Sequence, residues 1–172
     1  MTYEIVTQFP DPMLFSEGEI YISLYQPTHR SFPLNKQDPI VFKNLLKELE
    51  ASLDELGEKE LKETLMAPLY ALQEDLDFWN NTLDGIAVLA SKDRCIIYQL
   101  HVPVDQLAVV AHSFHIKPLL GAFQSIENFQ LLVLSRDSFA VFEGNQNEMK
   151  KLELEEGAPL TMKDALGDEL TP

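Results

Sequence analysis

Two short clusters in this 172-residue chain hold residue types that could do chemistry. The first is Pro27-Thr28-His29-Arg30, where His29 could act as a general base and Arg30 could grip an anion through its forked guanidinium. The second is His112-Ser113-Phe114-His115-Ile116-Lys117-Pro118, placed so that the first amides of a following helix could receive an anion. Lys43 and Asn44, near the start of a leucine-rich helix, could line the first cluster's pocket if that helix packs on a sheet. Thr28, His29, Arg30, Lys43, Asn44, His115 and Lys117 are therefore the candidate residues for binding one small molecule or anion.

Each cluster has a plainer reading. Thr28–Arg30 can be a capped turn with a surface arginine, and residues 112–118 can be a strand-to-helix connection with satisfied polar groups. No carboxylate or nucleophile stands at a recognisable spacing from His29. Ser113 lies beside two histidines, but the strained Gly-x-Ser-x-Gly elbow of a hydrolase is absent. His112 and His115 could share a metal, yet no third ligand follows, since Cys95 and His101 fall on other elements. There is no glycine-rich phosphate loop, dinucleotide fingerprint or zinc-finger spacing, so neither cofactor nor metal is expected. The balance of these readings is against an enzyme, and a degenerate hydrolase stays open only as a variant of the anion-binding alternative.

The elements that must position these residues are read from periodicity and turn chemistry. Residues 1–18 are punctuated by Pro and Gly and read as irregular. Glu19–Tyr25 is a β-rich strand running into the Thr28–Arg30 turn. Asp38 reads as the N-cap of a helix with Pro39 at its first position, and Gly57 reads as its stop. Phe42, Leu45, Leu46, Leu49, Leu53 and Leu56 form one apolar face on that helix. A second helix starts near Glu58, and Pro68 either kinks it or opens a third; Leu69, Leu72, Leu76 and Trp79 continue the stripe. Strands follow at Gly85–Ser91, Cys95–Leu100 and Leu107–Ala111, then a helix from Lys117 to about Ser125. Cys95, the only cysteine, reads as a buried, inert thiol. Three more strands, Phe129–Ser135, Phe139–Glu143 and Met149–Leu154, are joined by turns at Arg136-Asp137-Ser138 and Gly144-Asn145-Gln146-Asn147.

The expected fold is mixed α/β (α+β): a layered sheet with a helical hairpin, followed by a C-terminal three-stranded antiparallel meander. The expected domains are 1–125, an N-terminal α/β domain; 126–155, the meander; and 156–172, a polar tail or linker. Three strands need a covering layer, so the meander either packs on the first domain or begins a second.

Net charge is −15, and residues 38–80 hold 11 acidic against 4 basic side chains. Nucleic-acid binders draw most of their affinity from Lys and Arg on phosphates, and a helical segment of this charge repels them. Direct nucleic-acid binding by this chain is not expected. Met1–Gln8 carries neither the basic start nor the apolar stretch of a signal peptide, and no apolar run approaches bilayer length. The expected place of work is the cytoplasm, away from membranes. Oligomeric state is not legible in the residues.

Several ordered blocks carry a family resemblance. Tyr21-Ile22-Ser23-Leu24-Tyr25-Gln26-Pro27-Thr28-His29-Arg30, then Gln37-Asp38-Pro39-Ile40 with Lys43-Asn44-Leu45-Leu46, is one part of it. Gly85-Ile86-Ala87-Val88-Leu89-Ala90-Ser91 and Phe114-His115-Ile116-Lys117-Pro118-Leu119-Leu120 are the others. Together they resemble the bacterial relatives of the archaeo-eukaryotic peptide-chain release factor, over most of residues 19–155. The resemblance implies a multi-domain protein whose first domain is residues 1–125 and whose middle domain opens at Phe129. In true release factors the middle domain carries a Gly-Gly-Gln tip that promotes peptidyl-tRNA hydrolysis. This chain lacks that motif; Gly144-Asn145-Gln146 sits in a hairpin and reads as turn chemistry. The chain thus looks like an N-terminal portion or a truncated member, and the implied role is a non-enzymatic module that contacts the ribosome or translation factors. A protein-interaction module working through part of the leucine stripe is a further alternative.

Overall fold

The computed structural model describes residues 2–16, 18, 20–57, 59–124, 129–135, 138–145, 149–154, 157–159, 161 and 164. It divides into two compact units, Met1–Phe123 and Gln124–Pro172.

The first unit is built on a five-stranded sheet of order β1-β4-β3-β2-β5, made of β1 (Tyr3–Ile5), β2 (Tyr21–Pro27), β3 (Gly85–Ala90), β4 (Cys95–Leu100) and β5 (Leu107–Ala111). All neighbours are antiparallel except β1 and β4, so the sheet is mixed. Gly85–Ala90 reads as an unbroken apolar run because β3 is buried on both faces and has no solvent side to fill with polar residues. One face holds Ile22, Leu24, Ile86, Val88 and Ile97 against α1 (Asp38–Leu56), α2 (Lys59–Gln73) and α3 (Leu76–Asn80), through Phe42, Leu46, Leu49, Leu69, Leu72 and Trp79. The other face holds Tyr25, Ala87, Leu89, Ile96 and Tyr98 against Met13 and against Leu119 of α4 (Lys117–Gln124). Alternate residues of β2 and β3 serve opposite layers, as the period of a strand requires.

Several expectations are corrected. Residues 1–18 are not wholly irregular: Tyr3–Ile5 adds a parallel edge strand, pairing Tyr3 with Cys95 and Ile5 with Ile97. Three residues carry too little alternation to announce a strand; pairing and contacts made far along the chain create it. The first long strand is Tyr21–Pro27 rather than Glu19–Tyr25. Asp38 is the first residue of α1, after Gln37 as cap, and its carboxylate is turned away from its own helix amides. The α2 helix runs unbroken across Pro68, and the third helix opens at Leu76 behind Asp75, whose carboxylate accepts from the Phe78 amide at 2.9 Å. Leu56 and Leu76, assigned to the buried stripe, are exposed at helix ends. Gly57 does end α1, in the left-handed conformation (φ 77°) that glycine adopts without strain. Cys95 is buried, and burial pushes its thiol up to about 12.

The second unit is a three-stranded antiparallel meander of β6 (Phe129–Leu134), β7 (Phe139–Gly144) and β8 (Met149–Lys151). β8 is shorter than the Met149–Leu154 read from the sequence. Residues 136–137 and 146–148 of the two turns, most of the 155–172 tail, and Ser125 at the expected helix end lie outside the described residues. Among the described residues, no helix is long and apolar enough to cross a membrane.

Candidate functional site

The polar cluster at the C-terminal end of β2 is built by pairs that lie 9 to 71 residues apart in the chain. Gln26, fully buried, donates from Nε2 to the Asp38 carbonyl at 2.8 Å and so ties the strand to the first turn of α1. The Thr28 amide donates to the Asp84 carbonyl, and its hydroxyl donates to the Leu83 carbonyl at 2.8 Å. His29 is held on three sides. Its amide and its ring Nδ1 both meet the Asp38 carboxylate at 2.8 Å, and its carbonyl accepts from the Thr82 hydroxyl at 3.1 Å.

A carboxylate oxygen accepts, so ring Nδ1 is the donor of that pair and Nε2 is the ring nitrogen left outside it. The Asp38 side chain is 2% exposed and the His29 side chain 45%, so a buried acceptor orients a half-exposed ring. Arg30 makes a two-pronged bond to Asp84, Nε to Oδ1 at 2.8 Å and Nη2 to Oδ2 at 2.6 Å. These bonds hold the Asp84 carboxyl below its usual range and raise the guanidinium further. His101 stands 3.4 Å from Arg30 Nη2; burial, and then the neighbouring positive charge, push its ring down from the ordinary 6.5.

The site fixes the direction of the His29 ring through Asp38 and pairs the Arg30 guanidinium with Asp84. The hydroxyls of Thr28 and Thr82 both donate to backbone carbonyls. Among the described residues, no three His, Cys, Asp or Glu side chains gather closely enough to hold a metal ion.

Of the candidate residues, Thr28, His29 and Arg30 come together. Lys43 and Asn44 do not join them: both are exposed on α1, about 140° and 240° around the helix from Asp38. His115 and Lys117 lie across the sheet. The His115 amide donates to Ser23 Oγ at 2.9 Å, and its carbonyl accepts from the Tyr25 hydroxyl at 2.5 Å. Tyr25 packs with Leu119 on the face opposite α1. The sheet therefore separates the two clusters. Asp38, Thr82, Asp84 and His101 are the residues that sequence reasoning missed or misassigned. The only local hint was the change of period at Asp84-Gly85. There a Cβ on Gly85 would meet the Val102 carbonyl at 2.9 Å, so glycine is what lets the 102–104 segment approach.

Three cavities lie elsewhere. One of about 400 Å³ is lined by Met13, Ile20, Tyr21, Leu61 and Lys92, at the far end of β2 from His29. A second, of about 260 Å³, shares Ser16, Gly18 and Tyr21 with it and adds His112 and Phe114. The second unit has its own of about 830 Å³, lined in part by Val133, Phe139, Val141, Leu152 and Leu154.

Comparison with known proteins gives a family match within the second unit. Residues 127–172 match bacterial archaeo-eukaryotic release factor family 6. The release-factor resemblance read from the sequence is found there, while the blocks that carried it (21–46, 85–91 and 114–120) lie outside the matched stretch. No curated protein matches the chain. The solved structures that align with it include an archaeal protein and the archaeal translation termination factor aRF1. Each is 17% identical with a TM-score of 0.43 and covers 77% of this chain. The chain spans 38% and 37% of their lengths, and a likeness at this level carries no functional argument.

Proposed function

We propose that this chain is a non-enzymatic docking module of a release-factor-like protein that works with the ribosome or its factors in the cytoplasm. The observation that carries the reading is the match of residues 127–172 to a release-factor family. In this reading residues 1–125 and 126–155 act as separate domains and 156–172 as a linker. The net charge of −15 favours protein surfaces over bare RNA as the point of contact. Sucrose-gradient sedimentation of the full chain with purified bacterial ribosomes tests it: co-migration at moderate salt supports the reading, and a chain that stays at the top of the gradient refutes it.

A second reading is an anion site at the end of β2. It is favoured by the Arg30 guanidinium lying 3.4 Å from His101 Nδ1, next in the chain to His29. Titration with inorganic phosphate, followed through the histidine ring resonances, tests it. A saturable shift at His29 that disappears in Arg30→Gln supports the site, and resonances that do not move exclude it.

A further inference from the structure

The cavity at the start of β2 has no part in the His29 cluster or in the docking reading. Four pieces of chain build it: the 13–18 segment, Ile20 and Tyr21 leading into β2, Leu61 near the start of α2, and the Ser91–Arg94 turn between β3 and β4. Met13 belongs to one apolar layer of the sheet, and Ile20 and Leu61 to the other, so the cavity sits where both layers end. Its volume of about 400 Å³ is that of a small-molecule site. The smaller cavity, of about 260 Å³, adjoins it along Ser16, Gly18 and Tyr21.

Tyr21 lines both cavities and is held in place from two directions. Its hydroxyl donates to the Ser16 carbonyl at 2.6 Å, and its ring packs on Phe114 with centroids 4.4 Å apart. A Cβ on Gly18 would meet the Tyr21 hydroxyl oxygen at 2.6 Å, so glycine at that position is what leaves the ring its place.

The polar side chains around the larger cavity are already spent on one another. Ser16 Oγ donates to the Met13 carbonyl at 2.7 Å. Ser91 Oγ donates to the Arg94 carbonyl and accepts from the Asp93 and Arg94 amides. The Arg94 guanidinium is paired with Glu4 at 2.7 Å and with Asp11 at 3.1 Å, and Lys92 stands next to Asp93 in the same turn. Among the described residues, each cation at this cavity therefore has a carboxylate beside it, and each hydroxyl has a partner. What is left is the apolar floor of Met13, Ile20, Tyr21 and Leu61. Water over such a floor finds few partners, and an apolar ligand that displaces it gains affinity. A charged ligand would give up its hydration with no unpaired opposite charge to replace it.

We propose that this cavity is a binding site for an uncharged, mainly apolar small molecule that carries an aromatic ring. The ring packs with Tyr21, as aromatic groups do with one another. The adjoining cavity, lined by Leu14 and Phe114, takes a second ring.

The test uses the full chain with labelled Met, Ile, Leu and Val methyl groups and a neutral two-ring probe, N-phenyl-1-naphthylamine. Its fluorescence is expected to rise to saturation at one equivalent, with shifts at the methyls of Met13, Ile20 and Leu61. Its anionic counterpart, 8-anilinonaphthalene-1-sulfonate, is expected to bind about tenfold or more weakly, because the sulfonate finds no free partner. Leu61→Trp fills the cavity from a half-buried position and should weaken the neutral probe about tenfold or more by steric exclusion. Lys92→Trp covers the mouth from an exposed turn position, and its loss of affinity decides the matter if Leu61→Trp lowers the denaturation midpoint. Absence of saturable binding overturns the proposal, as do shifts confined to Val133, Val141 and Leu152 around the cavity of the second unit. Equal affinity of a folded filled variant and wild type overturns the site. A sulfonate that binds as tightly as the amine overturns the choice of an uncharged ligand.

Discussion

Both oxygens of the buried Asp38 carboxylate bind one residue, His29: Oδ2 accepts the backbone amide and Oδ1 meets ring Nδ1, each at 2.8 Å. One side chain thus closes the β2–α1 connection and sets the direction of the His29 ring. With Gln26 Nε2 on the Asp38 carbonyl, the start of α1 is clamped to the end of β2 from side chain and main chain alike.

Asp38→Ala should destabilise the first unit by about 1–2 kcal/mol, because it leaves the part-buried His29 amide and a ring nitrogen without their acceptor. Asp38→Asn should cost less, since its single carbonyl can serve one of the two donors. Urea denaturation gives the stabilities. Amide hydrogen exchange at His29 should accelerate in both variants, and more in the alanine one.

The pH dependence of stability should show a component from His101. Its ring is held below the ordinary 6.5 in the folded state, chiefly by burial and then by Arg30. The unfolded chain therefore takes up this proton first, and stability falls as pH drops below about 6.5. A second loss belongs to Asp84 and Asp75, whose carboxyls are lowered by Arg30 and by Tyr3. Their contribution is present above the ordinary 3.8 and is lost as pH falls through their lower folded values. Denaturation midpoints measured from pH 8 to 3 should show both falls, and His101→Gln should flatten the first while leaving the second.

Tyr3→Phe should loosen the N-terminal strand by about 1 kcal/mol. The Tyr3 hydroxyl donates to Asp75, and its ring meets Phe78 edge-on with centroids 6.2 Å apart. Burial and that bond push the phenol up to about 12, so it stays protonated and donating throughout the neutral range. The ring contact survives in Phe and the hydrogen bond does not. Exchange of the β1–β4 ladder amides should therefore quicken while the α1–β2 amides hold.

Cys95 should react with a thiol reagent only through unfolding. It is buried in the sheet, and its thiol is pushed up to about 12, so little thiolate forms at neutral pH. Its modification rate should follow the population of the unfolded state as urea rises. Fast labelling in native buffer would show that the β3–β4 region opens on its own.

The elements legible in the sequence were those whose pattern is local. Phe42, Leu46, Leu49 and Leu53 announce α1 by helical spacing, Gly57 its stop, and the apolar run Gly85–Ser91 a strand, found at Gly85–Ala90. What escaped depends on partners distant in the chain. Tyr3–Ile5 is a strand only because β4 and Asp75 are there to receive it. Asp38 has the residue type and position of an N-cap, but its carboxylate finds two donors on His29 instead of its own helix amides. The candidate site was legible in the same proportion. Thr28, His29 and Arg30 are adjacent in sequence and stay adjacent in space. Spacing could not reveal that Asp84 and His101, 54 and 71 residues from Arg30, complete their surroundings. Nor could it reveal that the β-sheet stands between them and His115.

Affinity purification of the full-length protein from native lysate at moderate salt tests the central claim most directly. The account predicts that ribosomal proteins or translation factors are recovered in stoichiometric amount and persist after RNase treatment. A clean preparation that holds the chain alone would contradict a docking role in translation and leave the His29–Arg30 anion site as the reading to pursue.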